Sequence, residues 1–294
     1  MKLTFRQSAL SAVLLLLCMY ITHTVHAQCL TWLNEGSTGF SAAGAQYTSI
    51  ATDPSGVPYV VYMDEGAGNK ATVKKMSGGV WTTVGIAGFT PSRADYTSIA
   101  ISATGIPYVV YMDQSASDKA SVMRFNGSSW VNVGAIGFTP GKAENTVIAI
   151  DASGTPYVAF IDWVASRRVS VMKYNGADWQ VVGSYGISVA QSAFIDLALN
   201  SSGQPSVAYK DLGNGGKTTV LSFNGSLWNS VGTPGFSAGA ADYVSLVFAN
   251  DTPFIAYADA SVGNKLVARK YNGLSWLPAG TAGFSTSRAD NIAM

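Results

Sequence analysis

The chain of 294 residues carries 18 Lys or Arg and 17 Asp or Glu, so its formal net charge at pH 7 is only +1. This balance, without a basic stripe, argues against nucleic acid as the partner. Charged residues make up 12% of the chain, and Gly, Tyr, Phe and Trp are frequent, which favours a strand-rich folded protein over one of long helices.

The N-terminal segment has the features of an export signal. A positively charged start precedes an apolar run over 11–21, and Val25-His26-Ala27 forms a small-residue cleavage site. The run is too short to span a bilayer as a stable helix. We therefore predict a signal peptide over 1–27 and no transmembrane segment. The mature chain, 28–294, is expected to be secreted or held at the cell surface.

Both histidines, His23 and His26, lie within the predicted signal peptide. The mature chain then lacks the imidazole that a Ser-His-Asp triad, a histidine metal site or a histidine base requires. A glycosidase needs two carboxylates flanking one bond, whereas the acids here mostly recur at equivalent positions. We expect no enzyme activity, no metal and no cofactor, and a carbohydrate-active enzyme is the least favoured alternative.

Tryptophan recurs along the chain with a period of 49 residues, and of 48 in the last interval. The periodic residues are Trp32, Trp81, Trp130, Trp179, Trp228 and Trp276. A Gly-Phe pair follows each of them at one offset, with Gly186-Ile187 as the variant. Such self-similarity at a fixed period is the signature of a repeat architecture.

Each period contains four short runs rich in β-branched and aromatic residues, which predicts a four-stranded meander. In the first unit we place strand A at 47–52, strand B at 58–63, strand C at 71–76 and strand D from Trp81. Proline opens strand B in each unit, as expected of a residue without an N–H to give the ladder. These prolines are Pro58, Pro107, Pro156, Pro205 and Pro253.

Turn residues separate the runs at regular places. Tight-turn sequences such as Asp53-Pro54-Ser55-Gly56 lie between strands A and B. Asn-Gly, a strong hairpin signal, lies between strands C and D. The Asn-Gly pairs begin at Asn126, Asn175, Asn224 and Asn272.

Four-stranded units at this period predict an all-β β-propeller over 28–294, with five complete blades plus partial ends. The segments 151–159 and 171–176 resemble the blade pattern of NHL and kelch-type propellers. The short, near-identical units also resemble tachylectin-like sugar-binding propellers and tandem-repeat proteins that bacteria export. The resemblance implies the propeller fold and, from the tachylectin-like group, sugar binding.

The ends of the repeat array are incomplete. Residues 29–35 match a lone strand D, and the sixth unit stops inside its strand A. An open ring would expose two apolar blade faces, so we expect a truncated sequence with six to eight blades in all. Closure as five blades, or pairing between chains, is the alternative. Cys29 has no internal disulfide partner, and the oligomeric state is not predicted.

The periodic tryptophans are interpreted as packing between blades rather than as sugar-stacking platforms. Trp163 differs because it lies outside the period, in the connection between strands B and C of the third unit. The same connection places an acid and a base six residues apart in all five units, such as Asp162 and Arg168. We expect most of these acids to bond local backbone N–H groups, although they could bracket a ligand or, less plausibly, hold calcium.

In an antiparallel meander the B–C and D–A connections lie at one end of the blades, and here they are the longer, more varied loops. Recognition usually resides on such loops. We therefore predict a non-catalytic module that binds a glycan or an extracellular protein there. A structural or adhesive repeat segment of a longer cell-surface protein is the alternative. The candidate ligand-binding residues are Trp163, Arg93, Arg167, Arg168, Lys142, Asp162 and Arg288.

Overall fold

The computed structural model describes residues 36–294. The predicted signal peptide, Cys29 and Trp32 lie outside the described residues. Within them, twenty strands form five four-stranded antiparallel sheets, and each sheet keeps its strands in chain order.

The five sheets are the blades, numbered 1 to 5, and the four strands of each are A to D from the first to the last. Blade 1 contains β1 (Ala45–Thr52), β2 (Pro58–Asp64), β3 (Lys70–Ser77) and β4 (Val80–Thr83). Blade 2 contains β5 (Ala94–Ile101), β6 (Pro107–Asp113), β7 (Lys119–Phe125) and β8 (Trp130–Asn132). Blade 3 contains β9 (Ala143–Ile150), β10 (Pro156–Asp162), β11 (Arg168–Tyr174) and β12 (Trp179–Val181). Blade 4 contains β13 (Ser192–Leu199), β14 (Pro205–Asp211), β15 (Lys217–Phe223) and β16 (Trp228–Ser230). Blade 5 contains β17 (Ala241–Ala249), β18 (Thr252–Asp259), β19 (Lys265–Tyr271) and β20 (Trp276–Pro278).

The all-β propeller with five complete four-stranded antiparallel blades, predicted from the repeat, is confirmed. The predicted strands of the first unit agree with the observed ones to within two residues. Proline is the first residue of strand B in blades 1 to 4 and the second in blade 5. Every residue of β6 and β10 is buried, because a blade between two others is covered on both faces.

The hydrophobic core lies between successive blades. Strands A of neighbouring blades pack against each other in the order β1, β5, β9, β13 and β17. Valines of β2 and β3 pack against Val109 and Tyr111 of β6, and the next three blade boundaries repeat this arrangement. A single small sheet buries only one face well, so the interfaces supply most of the apolar burial of each blade.

The periodic tryptophans of the described residues pack at these interfaces, as the architectural interpretation predicted. The Trp179 ring stacks on Phe138 of the preceding unit with ring centroids 4.1 Å apart. Its indole Nε1 donates a hydrogen bond of 2.9 Å to the Val133 carbonyl oxygen. Equivalent indole bonds join Trp130, Trp228 and Trp276 to carbonyls of the preceding blade.

The loop before each interface requires glycine at one position. Gly134 has φ +72°, and a Cβ there would lie 2.8 Å from the Tyr174 ring and 3.0 Å from Trp179. Gly134→Ala is expected to lower the free energy of unfolding by about 2–4 kcal/mol, since backbone strain and overpacking add. Gly56→Ala is the control, because Gly56 has φ +81° with open space around it. Its cost should be backbone strain alone, about 1–2 kcal/mol. Equal costs in urea denaturation would contradict the overpacking argument.

Each strand A contains a β-bulge that the sequence did not indicate. The register of β5 with β6 shifts between Asp95 and Ser98, and Tyr96 within the bulge has φ 51°. Thr146 of the next blade donates a hydrogen bond of 2.6 Å to the Tyr96 carbonyl oxygen, and Thr97 bonds the Tyr47 carbonyl oxygen in the same way. The equivalent left-handed residues are Tyr47, Asn145, Phe194 and Tyr243.

The two outermost blade faces are less covered than the inner interfaces. Ile50 in blade 1 is 55% exposed, whereas its equivalents in the other four blades are each 5% exposed. Phe284, after blade 5, is 54% exposed, and its equivalent Phe89 is 9% exposed. The incomplete sixth unit continues the repeat, because the Met294 backbone N–H donates to Ser245 Oγ at 3.1 Å in the position of strand A.

Candidate functional site

The B–C connections are rigid turns fixed at both ends. In blade 3 the Trp163 N–H donates to the Lys142 carbonyl at 3.2 Å, and the Ser192 N–H donates to the Arg167 carbonyl at 3.0 Å. Each B–C turn is therefore joined to the D–A connection before its own blade and to the first strand of the next. Side chains on these turns are presented by a rigid scaffold.

Trp163 stands at the centre of a charged group of side chains. Lys142 Nζ lies 4.9 Å and the Arg167 guanidinium carbon 5.2 Å from the centroid of the indole, within cation–π range. Both cations also contact Glu144, at 3.2 Å from Lys142 and 3.3 Å from Arg167. Asp118 of blade 2 lies 3.9 Å from Lys142. We call these five residues the Trp163 cluster.

The cluster combines an exposed aromatic ring with a partly buried carboxylate that contacts both cations. Trp163 is 45% exposed, whereas the Glu144 side chain is only 12% exposed. Glu144 therefore holds the two cations in place around the indole, and the ring remains accessible. Val164 and Tyr185 are further exposed apolar residues of the same loop face.

No other described blade reproduces this arrangement. The position of Trp163 is taken by Glu65, Gln114, Leu212 and Ala260 in the other units. Arg93 and Arg288 occupy the position of Lys142, and each pairs with an acid two residues later, at 2.7 Å to Asp95 and 2.8 Å to Asp290. They are equivalents of Lys142 in other units and do not belong to the cluster.

Arg167 adopts a backbone conformation that its residue type disfavours. Its φ is 60°, and Ser166 before it has the same value. The equivalent positions hold Asn69, Asp118, Gly216 and Asn264. Asn, Asp and Gly tolerate the left-handed region better than arginine does. Arginine at this position therefore strains the backbone, and the other units avoid this strain with Asn, Asp or Gly. Strain of this kind concentrates at functional sites.

Asp162 and Arg168 support the turn that carries Trp163. Asp162 is 1% exposed, and it accepts hydrogen bonds from the Val164 and Ala165 N–H groups and from Ser170 Oγ. Arg168 Nε donates to the Ala165 carbonyl at 3.0 Å. The equivalent aspartates of the other blades cap their turns in the same way, as the sequence predicted.

The sequence analysis did not propose Glu144, Asp118 or Tyr185 as ligand-binding residues. The sequence did contain a signal for Glu144, because Lys142 and Glu144 repeat the base–acid spacing of Arg93 and Asp95. Asp118 comes from the neighbouring blade, so only the packing of blade 2 on blade 3 brings it within reach.

The described residues contain no group of three His, Cys, Asp or Glu side chains placed to hold a metal ion. Between residues 36 and 294 there is also no helix of sufficient length and apolarity to cross a membrane.

A cavity of about 680 Å³ lies at the centre, lined by strands A and by 291–294. Asp196 is the one charged side chain lining it in the described part of the chain. Its Oδ2 accepts a hydrogen bond of 2.7 Å from the Leu246 N–H of the next blade. Burial raises the pKa of Asp196 to about 6, although hydrogen bonds from Leu246, Leu197 and Ser245 oppose the rise.

This carboxyl predicts a pH-dependent stability. Between about pH 4 and 6 the folded state binds the Asp196 proton more tightly than the unfolded state does, so stability falls as pH rises through this window. Asp196→Ser should remove this fall. Serine occupies the equivalent position in blade 2, where Ser98 Oγ accepts from the Ile148 N–H. Urea denaturation at pH 4, 5, 6 and 7 measures the difference, and parallel curves for the two proteins would refute the assignment.

The fold defines the chain as a five-bladed β-propeller. No protein-family model and no curated protein sequence matches it. Solved structures match it at low identity. AofleA from Arthrobotrys oligospora has a TM-score of 0.61 at 9% identity, covering 84% of this chain and 73% of that one.

Two further solved structures share the fold at low identity. The fungal Aleuria aurantia lectin, described as a six-bladed β-propeller with a fucose recognition mode, has a TM-score of 0.58 at 16% identity, covering 84% of this chain and 82% of its own. A Hadza microbial sialidase has a TM-score of 0.55 at 14% identity, and the match covers 83% of this chain and 60% of the sialidase chain. These likenesses concern the fold. The resemblance to NHL, kelch and exported bacterial repeat proteins stays a prediction.

Proposed function

We propose that this protein is a secreted or cell-surface, non-catalytic propeller that binds a glycan at the Trp163 cluster. The observation that carries the proposal is an exposed indole held between two cations that share a partly buried carboxylate. An aromatic face packs against the C–H face of a sugar ring, and guanidinium, ammonium and carboxylate groups hydrogen-bond hydroxyls.

Two features support binding rather than scaffolding. The cluster breaks the repeat at one blade, and it keeps an arginine in an unfavourable backbone conformation. A purely architectural loop would be expected to follow the repeat. The lectin named above adds support because it is a propeller described as recognising fucose.

A carbohydrate-active enzyme is the second candidate, since one of the similar folds is a sialidase. The Trp163 cluster has two carboxylates, Glu144 and Asp118, but both lie against Lys142. We propose binding without turnover. Release of reducing sugar or sialic acid by the purified chain would overturn that part of the proposal.

A glycan array with the purified chain and the variant Arg167→Asn tests the site. The variant removes one cation from the indole and restores the residue type of blades 1 and 5. We expect binding to fall by about tenfold, the loss of one charge-assisted contact. Stability should stay within about 0.5 kcal/mol, because relief of backbone strain offsets the lost ion pair.

Arg93→Asn is the matched control for this array. It removes the same charge from the same loop face, at the position equivalent to Lys142 in another unit, and should leave binding unchanged. Equal losses in both variants would indicate a general charge effect and reject the cluster. A glycan array without any hit would favour the structural repeat alternative.

A further inference from the structure

A groove of about 580 Å³ opens between blades 2 and 3 at the end opposite the Trp163 cluster, where the A–B and C–D turns lie. Tyr108 and Arg124 of blade 2 form one wall. The turn residues Asp151 and Thr155 and, from the next hairpin, Tyr174 form the other. The volume lies within the range of small-molecule sites.

The same groove recurs between blades 1 and 2, with about 400 Å³. All nine of its lining residues have counterparts 49 positions later in the larger groove. Two of the nine become polar in the larger groove, since Thr155 replaces Ile106 and Tyr174 replaces Phe125. The larger groove therefore offers hydroxyl groups where the smaller one is apolar.

The larger groove has two cations and one carboxylate. Arg124 and Lys173 are exposed, and neither forms an ion pair with any residue between 36 and 294. Asp151 Oδ1 accepts three hydrogen bonds from its own turn, from the Ser153 N–H at 2.9 Å, the Thr155 N–H at 2.9 Å and Ser153 Oγ at 2.6 Å. The carboxylate is thus engaged by the backbone, and the cations remain available.

In the smaller groove the cation equivalent to Arg124 is Lys75, and it contacts an aromatic ring. Lys75 Nζ lies 5.9 Å from the centroid of the Tyr59 ring, its neighbour across the strands. No such ring contact holds Arg124 among the described residues, although Tyr108 is its cross-strand partner. Arginine also presents a planar fork that matches a carboxylate or sulfate, which lysine lacks.

We propose that the groove between blades 2 and 3 binds an acidic sugar. A carboxylate or sulfate group pairs with the Arg124 guanidinium, Lys173 adds a second positive charge, and the hydroxyls of the sugar bond Thr155, Tyr174 and the Asn132 amide. This site is separate from the Trp163 cluster and does not depend on it.

Isothermal titration of the full chain with trigalacturonic acid and with uncharged galactotriose tests the proposal, and a sulfated disaccharide forms a third arm. We expect the trigalacturonate or the sulfated sugar, or both, to bind at least about tenfold more tightly than galactotriose. The difference should shrink at 0.5 M NaCl, because salt screens exposed charges. Arg124→Gln should weaken acidic-sugar binding about tenfold or more.

Lys75→Gln is the matched control in the smaller groove and should change binding little. Trp163→Ala should leave acidic-sugar binding intact, which separates this site from the glycan site proposed above. Failure of both acidic sugars to bind, equal binding of galactotriose, or an unchanged affinity of Arg124→Gln would each overturn the proposal.

Discussion

Replacing Trp179 with alanine is expected to lower the free energy of unfolding by about 3–5 kcal/mol. The indole is 8% exposed, stacks on Phe138 and donates its N–H to the Val133 carbonyl. Alanine would leave a cavity between blades 2 and 3 and an unpaired carbonyl at its edge. Urea denaturation followed by circular dichroism measures the change as a lower midpoint with a similar slope.

Two other substitutions separate the contributions of the ring, the indole hydrogen bond and burial to this loss of stability. Trp179→Phe keeps an aromatic ring but loses the indole hydrogen bond, so its cost should be clearly smaller than that of alanine. Trp163→Ala makes the same chemical change at a half-exposed residue, and we expect a cost below about 1 kcal/mol. Similar losses at Trp163 and Trp179 would contradict the distinction between an architectural and an exposed tryptophan.

Trp163→Ala is instead expected to abolish most glycan binding at the Trp163 cluster, by about thirtyfold or more, which is the loss of a central aromatic anchor. The substitution removes the ring that Lys142 and Arg167 flank and leaves both cations paired with Glu144. The readout is the affinity, measured by titration, for the array glycan whose binding Arg167→Asn weakens most.

Trp163→Phe serves as the control, because it keeps an aromatic face and should retain part of the affinity. Binding that survives Trp163→Ala unchanged would place the ligand elsewhere on the propeller. The thermal midpoint of each variant shows whether a loss of binding arises from loss of the fold.

The sequence predicted the fold well because the fold is repeated. Five copies of one meander repeat the same strand, proline and turn signals. An atypical residue in one copy therefore does not change the predicted strands. The periodic tryptophans were interpreted correctly for the same reason. The bulges were not predicted because their left-handed residues are Tyr, Phe and Asn rather than Gly. In blades 1 and 2 a threonine of the next blade also bonds the carbonyl of the left-handed residue, a contact that the chain's local pattern does not give.

The candidate site could be predicted only in part. Trp163 stood out because it departs from the period, and Lys142 and Arg167 were proposed with it because they share its loop face. Their common attachment to Glu144 depends on side-chain directions that spacing along the chain does not give. The groove between blades 2 and 3 was missed because its turns look invariant, and its polarity comes from two substitutions within the repeat.

The equal length and shared anchoring of the B–C turns make the Trp163 cluster transferable between blades. Residues 162–168 and 259–265 are both seven residues long, begin with a capping aspartate and pass through two left-handed residues. The substitutions Ala260→Trp, Asn264→Arg and Ala240→Lys in blade 5 would therefore meet the same backbone supports, and they leave all five residues of the Trp163 cluster in place. A propeller carrying two such clusters would engage a polymeric glycan bivalently, with avidity set by the fixed spacing of blades 3 and 5.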